Sequence, residues 1–111
     1  MTYEPGDIVL VPFPFTDLST AKRRPVLVLS RREFHAHSQD FVLCGTTSNL
    51  PNAAHSVLID RQDLAKGRIP APSRIRVGKI ATLLLGLAIR TLVRVKPEVL
   101  ARVRKELLSI L

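Results

Sequence analysis

The chain has 111 residues and a mass of 12.3 kDa, enough for one domain, residues 1–111, and too few for several. Its 46% hydrophobic and 23% charged composition is globular and argues against disorder. Seventeen Lys+Arg, twelve of them Arg, face nine Asp+Glu, giving +8 and a pI near 10.8, a balance that suits nucleic acid or another polyanion. A single cysteine, Cys44, excludes an internal disulfide and a Cys-based zinc site. The polar start, Met1 to Asp7, is not a signal peptide. The most apolar stretch, Ile80 to Ile89, is far shorter than the roughly 20 residues of a membrane span. A cytoplasmic location is therefore expected.

Gly6 leads into Asp7-Ile8-Val9-Leu10-Val11, a β-branched run that reads as a strand. Pro12 and Pro14 follow, and neither donates to a ladder, so this end is expected at an edge or leaving the sheet. Residues 16–24 read as an exposed loop with a basic end. Residues 25–30 form a second strand, apolar on both faces and therefore central. Residues 31–40 are a polar connection of undefined structure. Phe41 to Thr47 is a third strand, with Gly45 as a bulge or close-approach point. A turn over 48–53 precedes a fourth strand at 54–60, and a helical turn over 62–65 ends at Gly67.

Residues 73–83 alternate, with Arg74 and Arg76 on one face and Ile75 and Val77 on the other. The pattern slips past Gly78, as a bulge there would cause. Another strand covers about 87–95. Pro97 then opens a helix at its favoured first position, with Leu100, Val103, Leu107, Ile110 and Leu111 as the apolar stripe. Leu83-Leu84-Leu85 reads as core, with a dimer surface as the other reading. Five or six short strands and one terminal helix predict a mainly β fold, a small, partly open barrel.

The sequence contains no HExxH, Walker loop or GxGxxG, no local nucleophile–base motif and no evident carboxylate pair. His35 and His37 read as a surface pair, and the role of His55 is open. What stands out is arginine at strand ends. Arg24 precedes proline, which holds it extended at a loop-to-strand junction beside Arg23. Thr46, Thr47 and Ser48 end a strand with three hydroxyls. Guanidinium forks and hydroxyls are what a phosphate needs. The same pattern also fits solvated surface cations and an ordinary strand end.

Residues 5–30, PGDIVLVPFPFTDLSTAKRRPVLVLS, resemble the opening of the MazF/PemK toxin family. The spacing from Arg24 to Thr47 matches the family's spacing from its Arg-Pro arginine to its strand-ending threonine. SRIRVGKIATL (73–83) is similar to a later Ser-containing strand of the family, and KPEVLARVRKELLSIL to its terminal helix. The resemblance implies an SH3-like barrel (the MazF/CcdB-like toxin fold) and a homodimer. It also implies a metal-independent, sequence-preferring mRNA endoribonuclease toxin of a type II toxin–antitoxin system. Such an enzyme needs no cofactor, cleaves by 2′-hydroxyl attack and leaves a 2′,3′-cyclic phosphate.

Residue by residue, the resemblance assigns catalysis to Arg24 and Thr47. It also matches Ser73 and Arg76 to functional positions of the family, while the pattern of cations and hydroxyls adds Arg23, Lys22, Ser48 and Arg74 as candidates for binding RNA or phosphate. Partners would be single-stranded mRNA and an acidic, partly disordered antitoxin. The chain departs from the family pattern at Gly78, where some members carry an acid/base aspartate, near Ser19, where many have glutamate, and at Ala81 and Leu84. These departures leave the general base unassigned. They keep two alternatives open: a non-nuclease toxin of the same fold, resembling a gyrase poison, and a non-catalytic RNA-binding module.

Overall fold

The computed structural model describes residues 3–12, 23–48, 51 and 54–111. Among them run β1 (Asp7–Pro12), β2 (Arg23–Val28), α1 (Arg32–Ser38), β3 (Asp40–Thr47), β4 (Ser56–Ile59), β5 (Leu64–Lys66), β6 (Ser73–Leu84), β7 (Arg90–Val95) and α2 (Pro97–Ile110). The seven strands form one antiparallel sheet in the order β4-β6-β3-β2-β1-β7-β5.

Chain connectivity forces this sheet to curl. Seven flat strands would hold their outer members roughly 29 Å apart at about 4.8 Å per strand. The outer members are β4 and β5, joined only by residues 60–63, which span at most roughly 17 Å even when extended. The edges must therefore approach each other, and the result is the partly open barrel that the strand pattern predicts. The link is a 3₁₀ turn fixed at both ends by side chains. Asp60 accepts from the Arg61 amide at 2.7 Å, and Asp63 accepts from the Asp60 amide at 2.9 Å.

Alternation divides the apolar residues between two cores. Ile8, Leu27, Ile59, Ile75, Val77, Val93 and Val95 line the inside of the curl, closed by Val99 and Val103 of α2. Val9, Val11, Val26, Val28, Phe41 and Leu43 pack on the other face with Tyr3 and the partly buried Leu83, Leu85 and Ala88. Strands β1 to β3 are thus buried on both sides. This explains the continuous apolar run Val26-Leu27-Val28 and confirms the central place expected for β2.

Strand β1 lies between β2 and β7, and its Pro12 end has no partner on the β7 side, as the prolines led us to expect; other expectations need correction. Leu10 turns its carbonyl toward β7 and accepts from the Ile89 amide at 2.8 Å. Pro12, two residues on, turns the same way but lies beyond the last paired residue, Arg90, so its missing N–H interrupts no bond to β7. Residues 31–40 contain helix α1, whose one buried residue, His35, gives no apolar period to read. His35 is 6% exposed and not half of a surface pair; its Nε2 lies 2.7 Å from Ser30 Oγ. The three-residue β5 raises the strand count, and the strand expected from residue 87 begins at Arg90, after a 3₁₀ turn at Leu85–Leu87.

In α2, Val99 joins Val103 in the core, whereas Ile110 and Leu111 are exposed. Leu84 is 58% exposed and Leu83 and Leu85 are only half-buried, so this triplet is not interior core. The bulge expected at Gly45 and Gly78 is present. The β3–β6 register jumps from Cys44↔Ile80 to Gly45↔Arg76, leaving residues 77–79 unpaired with β3.

Candidate RNA-cleavage site

The ends of β2 and β3 are held together by register. Val26 pairs with Gly45, and the same register continued sets Pro25 beside Thr46 and Arg24 beside Thr47. Thr46 Oγ1 donates to the Pro25 carbonyl at 2.8 Å, a side-chain bond that clasps the two strand ends. Thr47 in turn pairs with Arg74 of β6.

A cavity of about 530 Å³ opens at this end of the barrel. Arg24, Thr46, Thr47 and Ser48 line it from β2 and β3, and Ser73 from the start of β6. Arg68, from the segment after β5, and Arg90, the first residue of β7, line it as well. Ile8, Ile59, Ile69, Leu92 and Val93 add apolar surface. No carboxylate or imidazole lines it among the described residues. Cations and hydroxyls beside an apolar surface favour a bound anion, because low polarity strengthens each electrostatic contact.

The cavity brings together four of the eight residues singled out in the sequence: Arg24, Thr47, Ser48 and Ser73. Arg23 is exposed opposite Pro12 and does not line it. Arg74 and Arg76 lie on β6 outside the lining, Arg74 donating to Ser56 Oγ at 3.2 Å and Arg76 exposed beside Ser56 and Gly45. Lys22 and Ser19 lie outside the described residues. Thr46, Arg68 and Arg90 are the additions. Thr46 was noted in the sequence only as one of three hydroxyls. Arg68 and Arg90 carry no local motif, and only the curl of the sheet brings them to Arg24.

Asp7, Arg94 and Cys44 serve the scaffold. Asp7, 1% exposed, accepts from Arg94 Nε at 2.6 Å and from the Glu4 amide at 3.0 Å. The hydrogen bond to Asp7 pushes the Arg94 guanidinium above its ordinary range. Cys44 is fully buried, and burial pushes its thiol up to about 12. No group of three or more His, Cys, Asp or Glu side chains among the described residues is placed to hold a metal ion. No described helix is long and apolar enough to cross a membrane.

The family model for the PemK-like, MazF-like toxin of type II toxin–antitoxin systems matches residues 4–111. The chain belongs to this PemK/MazF toxin family. The match covers nearly the whole chain, as does the resemblance carried by residues 5–30, 73–83 and 96–111. A MazE–MazF structure from Deinococcus radiodurans (Form-III) is similar with a TM-score of 0.81 at 22% identity, covering 99% of this chain and 96% of that one. An endoribonuclease in complex with its cognate antitoxin, from a Mycobacterial species, gives 0.76 at 19% identity, covering 96% and 92%. The Mycobacterium tuberculosis toxin MazF-mt6 gives 0.72 at 17%, covering 91% of each chain. At these identities the structures establish the fold. No curated protein matched the chain.

Proposed function

We propose that this PemK/MazF-family chain is a metal-independent endoribonuclease toxin that cuts single-stranded mRNA. The observation that carries this reading is the gathering of Arg24, Thr47 and Ser48 in one cationic cavity with no carboxylate among its described lining residues. The substrate's 2′-oxygen bonds to the adjacent phosphorus and loses its proton. The bond from phosphorus to the 5′-oxygen breaks, and that oxygen is protonated. The products are a 2′,3′-cyclic phosphate and a 5′-hydroxyl.

Charge grows on the non-bridging oxygens as the bond forms. Arg24 meets it with a guanidinium fork, and Thr47 and Ser48 meet it with hydroxyls. Acceleration is assigned to this charge stabilisation, since no lining side chain described is a ready base. Deleting one such donor typically costs ~10²–10³ in rate. DNA lacks the attacking 2′-hydroxyl and is not cut.

Two of the similar structures are toxin–antitoxin complexes, which supports a cognate antitoxin for this chain too. With +8 on a small domain, that partner is acidic and partly disordered. The working unit is a homodimer, for which exposed Leu84, Leu87 and Ile89 offer apolar surface.

The test is cleavage of a long unstructured RNA in EDTA by wild type and Arg24→Ala, with sequencing of the 5′ ends. Discrete cuts by wild type and none by a folded Arg24→Ala are expected. Undiminished cutting by Arg24→Ala would overturn the mechanism. No cutting by wild type at high enzyme would leave a binding toxin, with gyrase as the next target.

A further inference from the structure

We infer that Arg68 and Arg90 are RNA-binding residues. They grip backbone phosphates flanking the cut on the β5–β7 side of the cavity, away from Arg24. This rests on the nuclease reading above and extends it to two residues that no motif marks.

The cavity has two differently built sides. Arg24, Thr46, Thr47 and Ser48 come from β2 and β3. Arg90 starts β7, and Arg68 follows Gly67, whose backbone passes against Leu92 and Val93 of β7. Strand β3 stands three places from β7 in the sheet, which is about 14 Å along a flat sheet and less across a curl. Arg68 and Arg90 thus line the cavity from segments other than the strands that carry Arg24 and Thr47. A strand lying across the mouth presents one phosphate to Arg24 and Thr47 and neighbouring phosphates to Arg68 and Arg90.

The charges point the same way. Among the described residues, every cation lining the cavity is an arginine, the side chain whose planar fork matches phosphate. Three arginines outside the cavity are committed to ion pairs within the fold: Arg32 to Glu4, Arg94 to Asp7 and Glu4, and Arg102 to Asp63. Among the described residues, Arg24, Arg68 and Arg90 form no such ion pair. Three like charges around a partly apolar cavity repel one another, and a polyanion removes that cost.

The backbone holds both arginines in place. Arg90 pairs with Leu10 in a strand flanked by β1 and β5, and the neighbouring Ile89 amide donates to the Leu10 carbonyl at 2.8 Å. Arg68 is aimed by the turn at Gly67, where φ is +83° and a side chain would meet the Leu92 carbonyl at 2.8 Å.

The experiment measures cleavage kinetics of Arg68→Gln, Arg90→Gln and the double variant, with thermal melts as a folding control. In parallel, binding of an oligonucleotide carrying 2′-deoxyribose at the cut site is followed against salt. Each single change is expected to raise KM about tenfold or more, as loss of a charge-assisted bond does, with kcat within about threefold. The slope of log affinity against log salt is expected to fall by about 0.7 per arginine. Arg90→Lys keeps that slope with intermediate affinity, because charge returns without the fork. Thr47→Val lowers kcat and leaves the slope alone. Unchanged KM and slope in folded variants would sink the inference, as would a fall in kcat at constant KM. Failure of the parent reading looks different: wild type then cuts nothing, while the binding slopes still report on both arginines.

Discussion

The Thr46 hydroxyl donates to the carbonyl of Pro25 at 2.8 Å, and this bond sits between the two residues assigned to the cut. Pro25 follows Arg24, and Thr46 precedes Thr47. The strand carrying the arginine and the strand carrying the hydroxyl are therefore joined by a side chain one residue from each.

Replacing Thr46 with Val keeps the shape and removes the donor. The expected loss of stability is about 1 kcal/mol, the usual net worth of one hydrogen bond. Cleavage should fall roughly ten- to hundredfold, because small misplacements of oriented groups are costly. Urea unfolding together with single-turnover cleavage measures both. A normal rate in the folded variant would show that the clasp does not position the site.

Gly67 is a backbone requirement. A Cβ there would stand 2.8 Å from both the Leu92 carbonyl oxygen and Val93 Cγ1, at a φ of +83°. Gly67→Ala should cost about 2 kcal/mol or more, from left-handed strain plus overlap. It should also raise KM, because it shifts the segment that aims Arg68. Denaturant melts and a substrate titration read the two effects separately.

Gly78 permits the opposite experiment. A side chain there meets nothing within 4 Å, and the residue is exposed on the bulge of β6, outside the cavity lining. Gly78→Asp should change stability by less than about 0.5 kcal/mol and leave the cleavage rate within about threefold. A large gain in rate would show that a carboxylate at this position reaches the reacting atoms and that the chain works without one.

Cys44 supplies a pH test of the fold. Burial raises its thiol from 9.0 to about 12, so the native state holds this proton between pH 9 and 12 while the unfolded state releases it. The folded form binds more protons in that window. The contribution of Cys44 to stability is thus complete below pH 9 and declines as pH rises toward 12. At pH 8 an alkylating reagent should label the thiol only as fast as the chain opens. Rapid labelling of the native protein would contradict the burial.

Much of the fold was legible in the chain because it rests on local chemistry. Val26-Leu27-Val28 announced a strand buried on both faces. Alternation around Ile75 and Val77 gave the inner face of β6, and the slip at Gly78 marked a real bulge. Pro97 marked the helix start. Helix α1 was not legible, because its sole buried side chain, His35, makes no period. The fate of Leu84 was hidden for a related reason: apolar composition cannot distinguish a core from an uncovered strand. The last turn of α2 kept its apolar pattern beyond the residues that pack.

The sequence by itself determined the family and the pair Arg24 and Thr47 as candidates, since a spacing along two adjacent strands survives in one dimension. Only the tertiary structure decided which other groups stand with them. Arg68 and Arg90 are distant from Arg24 in the chain and reach the same cavity because the four-residue link between β4 and β5 curls the sheet onto itself. Arg74 and Arg76, which look equivalent to them by charge, fall outside it. Strand alternation specifies a face, but curvature, which depends on every strand at once, specifies what that face surrounds.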